Sequence, residues 1–214
     1  MNIINDKVTA YIDEQYRPLS PELEALRLSS EEYKVPIIMR DMEGLLLNLI
    51  RLKQPRRILE IGTAIGYSAA CMAEALPQCR VTTIESDPAA AEIARENIDS
   101  LGLAERITLL QGKGQEVLDT LTDAFDFVFI DAAKSHYRTF WDKVSGLCSP
   151  RAVIVCDNVL MRGTTVSGEY DPRRKHRTSI RRMRDFLSFL TDEAEAHTCI
   201  LPVGDGVSIS ILKG

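Results

Sequence analysis

The chain has no apolar run near the roughly 20 residues that a membrane-spanning helix requires, and Met1 to Lys7 show none of the apolar core of a secretory leader. Neither a membrane protein nor an exported one is expected. Cysteine is sparse: Cys71, Cys79, Cys148, Cys156 and Cys199 form no CxxC pair and are odd in number. A disulfide framework and a zinc site built on cysteine pairs are both excluded, leaving buried small residues in a reducing cytoplasm. No repeat, low-complexity tract or Pro/Gly/Ser linker divides the 214 residues. One domain is expected over 1–214, with a helical extension over 1–55 and an α/β core over 56–214. A chain of this length buries roughly 70% of its unfolded surface and needs no staples.

Basic charge is scarce outside one segment. The net charge is −5, which alone argues against a nucleic-acid partner, yet residues 173–184 hold seven Lys/Arg and no Asp or Glu. The remaining chain then has 19 basic against 31 acidic side chains. Such a cluster suits the phosphates flanking a splayed-out base, and it equally suits a solvated helix face balancing an acidic body.

Hydrophobic spacing predicts three helices first: one through Val8, Tyr11, Ile12 and Gln15, one over Pro21–Tyr33 capped by Ser20, and one over Met42–Leu52 stopped by Pro55. Short apolar runs then alternate with helical stretches. Strands are expected at Arg57–Ile61, Val81–Ile84, Ile107–Leu110, Phe127–Ile130 and Ala152–Cys156. The intervening helices fall at Tyr67–Ala75, Ala89–Ser100, Gly114–Leu121 and Ser135–Leu147. That alternation predicts a parallel sheet with right-handed crossovers. A long helix near Arg174–Leu190 and two strands, Thr198–Leu201 and Val207–Leu212, close the chain as an antiparallel hairpin. The fold class is a three-layer Rossmann-like α/β domain with a mostly parallel seven-stranded sheet.

The first strand runs into Glu60-Ile61-Gly62-Thr63-Ala64-Ile65-Gly66. Glycines at such a turn admit a ligand to the backbone, and the next helix offers free N–H groups. Ala64 and Tyr67 break a GxGxxG dinucleotide fingerprint starting at Gly62, and no GK[ST] exists for a P-loop. Glu85 ends the next strand 23 residues after Gly62, near the distance at which a carboxylate grips ribose hydroxyls. Gly62 alone is equally a tight turn; the pair favours a nucleoside. Later strands end in Asp131 and in Asp157-Asn158, two carboxylates and an amide that suit Mg²⁺, with no His or Cys to suit zinc. Lys134, three residues after Asp131, is a solvated lysine unless a metal lies beside it, where it would stabilise an oxyanion or move a proton.

LEIGTAIGYS (59–68), Ile84-Glu85, FIDAAK (129–134), DNVL (157–160) and LPVGDG (201–206) together resemble the metal-dependent class I S-adenosylmethionine O-methyltransferases of the catechol and caffeoyl-CoA type. Within that family the pattern is most similar to the bacterial branch that methylates tRNA 5-hydroxyuridine to 5-methoxyuridine. The resemblance implies S-adenosylmethionine contacts at Ile38, Gly62, Ser68, Glu85, Gln115 and Asp131, and a Mg²⁺ site of Asp131, Asp157 and Asn158. Asp131 and Lys134 are the catalytic candidates. Lys113 stands where relatives often have Asp and is not counted as a ligand. Arg173, Arg174, Lys175, Arg177 and Arg181 are the candidate RNA contacts for a tRNA partner. A small catechol-like or hydroxycinnamoyl thioester acceptor is the alternative, and a non-catalytic RNA-binding module is the reading from another class. A homodimer through the N-terminal helices is also implied.

Overall fold

The computed structural model describes residues 6–171, 176–192 and 194–214. Three helices lead: α1 (Asp6–Gln15), α2 (Pro21–Glu32) and α3 (Arg40–Lys53). The Ser20 hydroxyl accepts the Leu23 N–H at 3.3 Å, and Pro21 opens α2 where its missing N–H costs nothing. Gln54 ends α3 in the left-handed region, just before Pro55.

The core then follows as β1 (Arg57–Ile61), α4 (Tyr67–Ala75), β2 (Arg80–Glu85), α5 (Pro88–Ser100), β3 (Ile107–Gln111), α6 (Gly114–Leu118) and β4 (Phe125–Ile130). It continues through α7 (Tyr137–Ser145), β5 (Cys148–Cys156), α8 (Arg177–Asp192), β6 (Ala196–Leu201) and β7 (Val207–Leu212). The seven strands lie in the order β3-β2-β1-β4-β5-β7-β6, parallel except for the β7 pairings.

Side-chain alternation divides the interior in two. Ile58, Phe127, Phe129 and Val155 face Met42, Leu46 and Ile50 of α3 and Met72 of α4. Leu59, Val128, Ile130 and Ile154 face Trp141 and Val144 of α7 and Met183 and Phe186 of α8. Both faces of the sheet are thus covered, as parallel strands require.

Several boundaries differ from expectation. β5 starts at Cys148 rather than Ala152, because Pro150 and a left-handed Arg151 sit in a bulge where the β4 register shifts. The helix expected at Ser135–Leu147 is a single 3₁₀ turn, Lys134–His136, followed by α7. The stretch expected to be helical over Gly114–Leu121 ends at Leu118. Of the five cysteines, Cys71, Cys79 and Cys156 are buried, whereas Cys148 is half-buried and Cys199 is exposed on the edge strand β6. No helix among the described residues is long and apolar enough to cross a membrane.

The chain runs outward from β1 to β3 and returns to β4 on the other side of β1. Crevices at such reversals, at the carboxyl ends of the strands, are where open α/β sheets bind ligands.

Candidate active site

A cavity of about 1020 Å³ opens at that reversal. Gly62, Ser68, Glu85, Gln115 and Ile38 all line it, together with Asp131, Lys134, Asp157 and Asn158. Every residue expected to contact cofactor or metal therefore reaches one space.

The glycine turn is fixed from two sides. Gly62 has φ 101°, and a Cβ there would fall 2.0 Å from the Asp131 carbonyl oxygen, so only glycine lets β1 and β4 approach this closely. Beneath the turn lies Glu60, fully buried. Its Oε1 accepts the Ser68 hydroxyl and its Oε2 the Thr83 hydroxyl, both at 2.5 Å, while Thr63 and Thr83 share a further hydrogen bond. Burial pushes the Glu60 carboxyl up to about 7, against those two hydroxyl donors. Ser68 thus spends its hydroxyl on Glu60. Glu85 accepts the Ala64 N–H on Oε2 and the Asp87 N–H on Oε1, each at 2.8 Å, which braces its carboxylate at the cavity wall.

The segment 36–39 forms another wall. Arg27, buried, donates to the Ile38 carbonyl at 2.8 Å, to the Tyr67 hydroxyl at 3.0 Å and to Glu43 Oε2 at 2.6 Å. Tyr67 also donates to Glu43, and the Tyr16 hydroxyl reaches the other Glu43 oxygen. The Ile38 carbonyl is therefore engaged by Arg27, so it braces the wall. Sequence reading missed both this network and the part played by Glu60. A lone acid at the end of an apolar strand was the available sign for Glu60; the Arg27 network has none, because its hydrogen-bonded partners lie 11 to 40 residues apart.

Charge dominates the opposite side. Asp131 Oδ1 takes an ion pair from Lys134 Nζ at 2.9 Å, and Lys134 also lies 3.3 Å from the Tyr137 hydroxyl. Tyr137 donates to the Asp157 carbonyl at 2.7 Å, tying β5 to α7. Asp157 is buried, and its Oδ1 accepts the Asn158 N–H at 2.6 Å. Burial, with the Asp131 carboxylate beside it, pushes the Asp157 carboxyl up to about 7. A divalent cation would supply the opposite charge that offsets both causes, and an all-oxygen donor set of two carboxylates and an amide fits a hard ion such as Mg²⁺. Among the described residues no three His, Cys, Asp or Glu side chains converge, so such a site would need Asn158 and oxygens from water or acceptor.

The basic segment is less available than its charge count suggests. Arg173, Arg174 and Lys175 lie outside the described residues. On α8, Arg182 donates to the Ser135 carbonyl at 3.3 Å and Arg184 to the Thr165 carbonyl at 2.6 Å. Arg181 is exposed, and Arg177 lines a separate hollow of about 350 Å³.

Residues 16–213 match the family model described as O-methyltransferase. A catechol O-methyltransferase of Niastella koreensis is 32% identical over 99% of both chains. Caffeoyl-CoA O-methyltransferase 2 of Zea mays is 35% identical over 78% of this chain and 67% of its own. Among solved structures, an O-methyltransferase from Bacillus cereus in complex with SAH superposes with a TM-score of 0.84 at 26% identity, covering 97% of each chain.

Proposed function

The chain belongs to the O-methyltransferase family, and from that premise we propose that it transfers the S-adenosylmethionine methyl group to a hydroxyl of a small catechol-like acceptor, aided by a divalent cation. The observation that carries this reading is the meeting, in one cavity, of the glycine turn with the oxygen set of Asp131, Asp157 and Asn158. The glycine turn and Glu85 hold the nucleoside, Glu85 accepting hydrogen bonds from ribose and Gln115 facing adenine. Bound S-adenosylmethionine supplies an electrophilic methyl on a sulfonium, and a bound cation acidifies the acceptor hydroxyl. Asp131, Asp157 and Asn158 would hold the cation beside the acceptor hydroxyl. Lys134, paired with Asp131, stabilises the oxyanion left when the acceptor hydroxyl gives its proton to solvent water. The buried braces, Glu60 under the glycine turn and Arg27 behind the 36–39 wall, hold that side of the cavity in place for an in-line displacement, in which misplacement is costly.

The names of the relatives favour a small acceptor over tRNA. Within the described part of the basic segment, Arg182 and Arg184 are engaged with backbone carbonyls, whereas Arg177 and Arg181 are exposed. Homodimerisation would use α1, whose Val8 and Tyr11 are exposed. The test is transfer of labelled methyl to a panel of catechols and to bulk tRNA, with and without EDTA. Label is expected in catechols and lost on chelation. Label confined to tRNA would overturn the small-acceptor reading, and undiminished transfer in EDTA would overturn the cation.

A further inference from the structure

The loop after β5 carries an unusual concentration of left-handed backbone. Asn158 (φ 60°), Met161 (φ 49°) and Arg162 (φ 54°) all adopt it within five residues, and none is glycine. Such conformations persist in side-chain-bearing residues only where the surroundings over-determine them. Here the surroundings are the turn before β7. Val159 N–H donates to the Gly206 carbonyl at 2.8 Å, Leu160 N–H to the Asp205 carbonyl at 3.1 Å, and Arg162 N–H to Asp205 Oδ1 at 2.6 Å. The two loops interlock so tightly that a Cβ on Gly206 would lie 2.3 Å from Leu160 Cγ. This clamp fixes Arg162 on the cavity rim, on the same loop as Asn158.

Three side chains that line the cavity are Lys or Arg. Lys113 pairs with Glu116 and Lys134 with Asp131. Among the described residues the Arg162 guanidinium alone of the three has no hydrogen-bond or ion-pair partner; Asp205 contacts its backbone N–H. An arginine held on strained backbone at the mouth, beside a site rich in carboxylates but with no anion of its own, has the chemistry to take one from a ligand. Its planar fork matches a carboxylate with two parallel hydrogen bonds.

We infer that Arg162 is a specificity-determining residue, which selects acceptors bearing a carboxylate on the ring edge remote from the methyl-accepting hydroxyls. The acceptor class is then a catechol acid rather than a neutral catechol. The inference rests on the small-acceptor reading above and sharpens it.

Calorimetry on the full chain, with Mg²⁺ and S-adenosylhomocysteine present so that no transfer occurs, compares caffeate with 4-methylcatechol. Wild type is expected to bind caffeate about tenfold more tightly, the range of one exposed charge-assisted contact. Arg162→Gln should bring that ratio close to one, and Arg162→Lys should keep part of it. No preference in wild type, including no binding of either compound, overturns the inference, as does a preference that survives in Arg162→Gln. A preference for 5-hydroxyuridine 5′-phosphate over 5-hydroxyuridine, without one for caffeate, overturns the carboxylate assignment. A caffeate preference that depends on Arg162, in a protein that methylates no catechol, would keep Arg162 as a carboxylate contact and overturn both the small-acceptor function and the selection of acceptors.

Discussion

The cavity has two halves built on opposite principles. Over β1 and β2, polar groups are closed upon one another: both Glu60 oxygens accept hydroxyls, and both Glu85 oxygens accept backbone N–H groups. Over β4 and β5, like charges crowd together, with Asp131 beside Asp157 and one lysine paired with Asp131. The first half is complete before any ligand arrives. The second is left in electrostatic tension, and Asn158, Met161 and Arg162 add backbone strain to it. A preorganised half suits a cofactor that is the same in every turnover. A frustrated half suits a cation and an acceptor whose binding relieves the tension.

The sharpest way to break this comparison is at Asp157. Asp157→Ala should reduce methyl transfer by at least about 100-fold, the range for losing one electrostatic contact at a reacting centre, while cofactor affinity is largely kept. Chelation should mimic it. Calorimetry with S-adenosylhomocysteine beside a labelled-methyl assay checks both. If cofactor affinity collapsed along with activity, the halves would not be separable.

A smaller effect is expected on the other side. Glu85→Ala should weaken cofactor binding by about 1.5–3 kcal/mol through lost charge-assisted hydrogen bonds, with turnover at saturating cofactor nearly intact. Because the Ala64 and Asp87 N–H groups lose their acceptor as well, a modest fall in melting temperature should accompany it. Unchanged affinity in the same titration would reduce Glu85 to a brace of the glycine turn.

The preorganised half was also the more legible one. Gly62 and Glu85 announce themselves because a βα turn and a strand-end acid obey local spacing rules that the chain states directly. The strand-end positions of Asp131, Asp157 and Asn158 were readable for the same reason, and the parallel pairing of β4 with β5 brings them together. Their electrostatic state was not, since it depends on burial and on a neighbour 26 residues away. Arg162 was invisible because its conformation is imposed by Asp205 and Gly206, more than 40 residues further on. The basic run is legible only as a charge count, which suits phosphates and a solvated helix face equally; in the fold Arg184 caps the carbonyls of the loop beneath it, while Arg177 and Arg181 are exposed.

The last difference between the halves is one of protons, and Glu60 tests it. Its carboxyl stands at about 7 in the folded chain against 4.5 for an ordinary glutamate, first because it is fully buried. Between those two values the folded state retains a proton that the unfolded state has released. Stability should therefore be unaffected by Glu60 below pH 4.5, fall as pH rises toward 7, and lose nothing more above it. Glu60→Gln removes this share while keeping an oxygen to accept from Ser68 or Thr83. Glu43 and Asp157, raised in the same direction, still titrate in the variant, so only the difference between the proteins reports Glu60. Denaturation at pH 5, 6, 7 and 8 should show Glu60→Gln gaining on wild type by up to about 1.4 kcal/mol per pH unit below 7 and by nothing further above it. Parallel curves would mean that Glu60 is ionised throughout, its charge held by the two hydroxyls. The β1–β2 half would then carry a buried anion like the β4–β5 half, and hydrogen bonding rather than neutrality would be what sets the two apart.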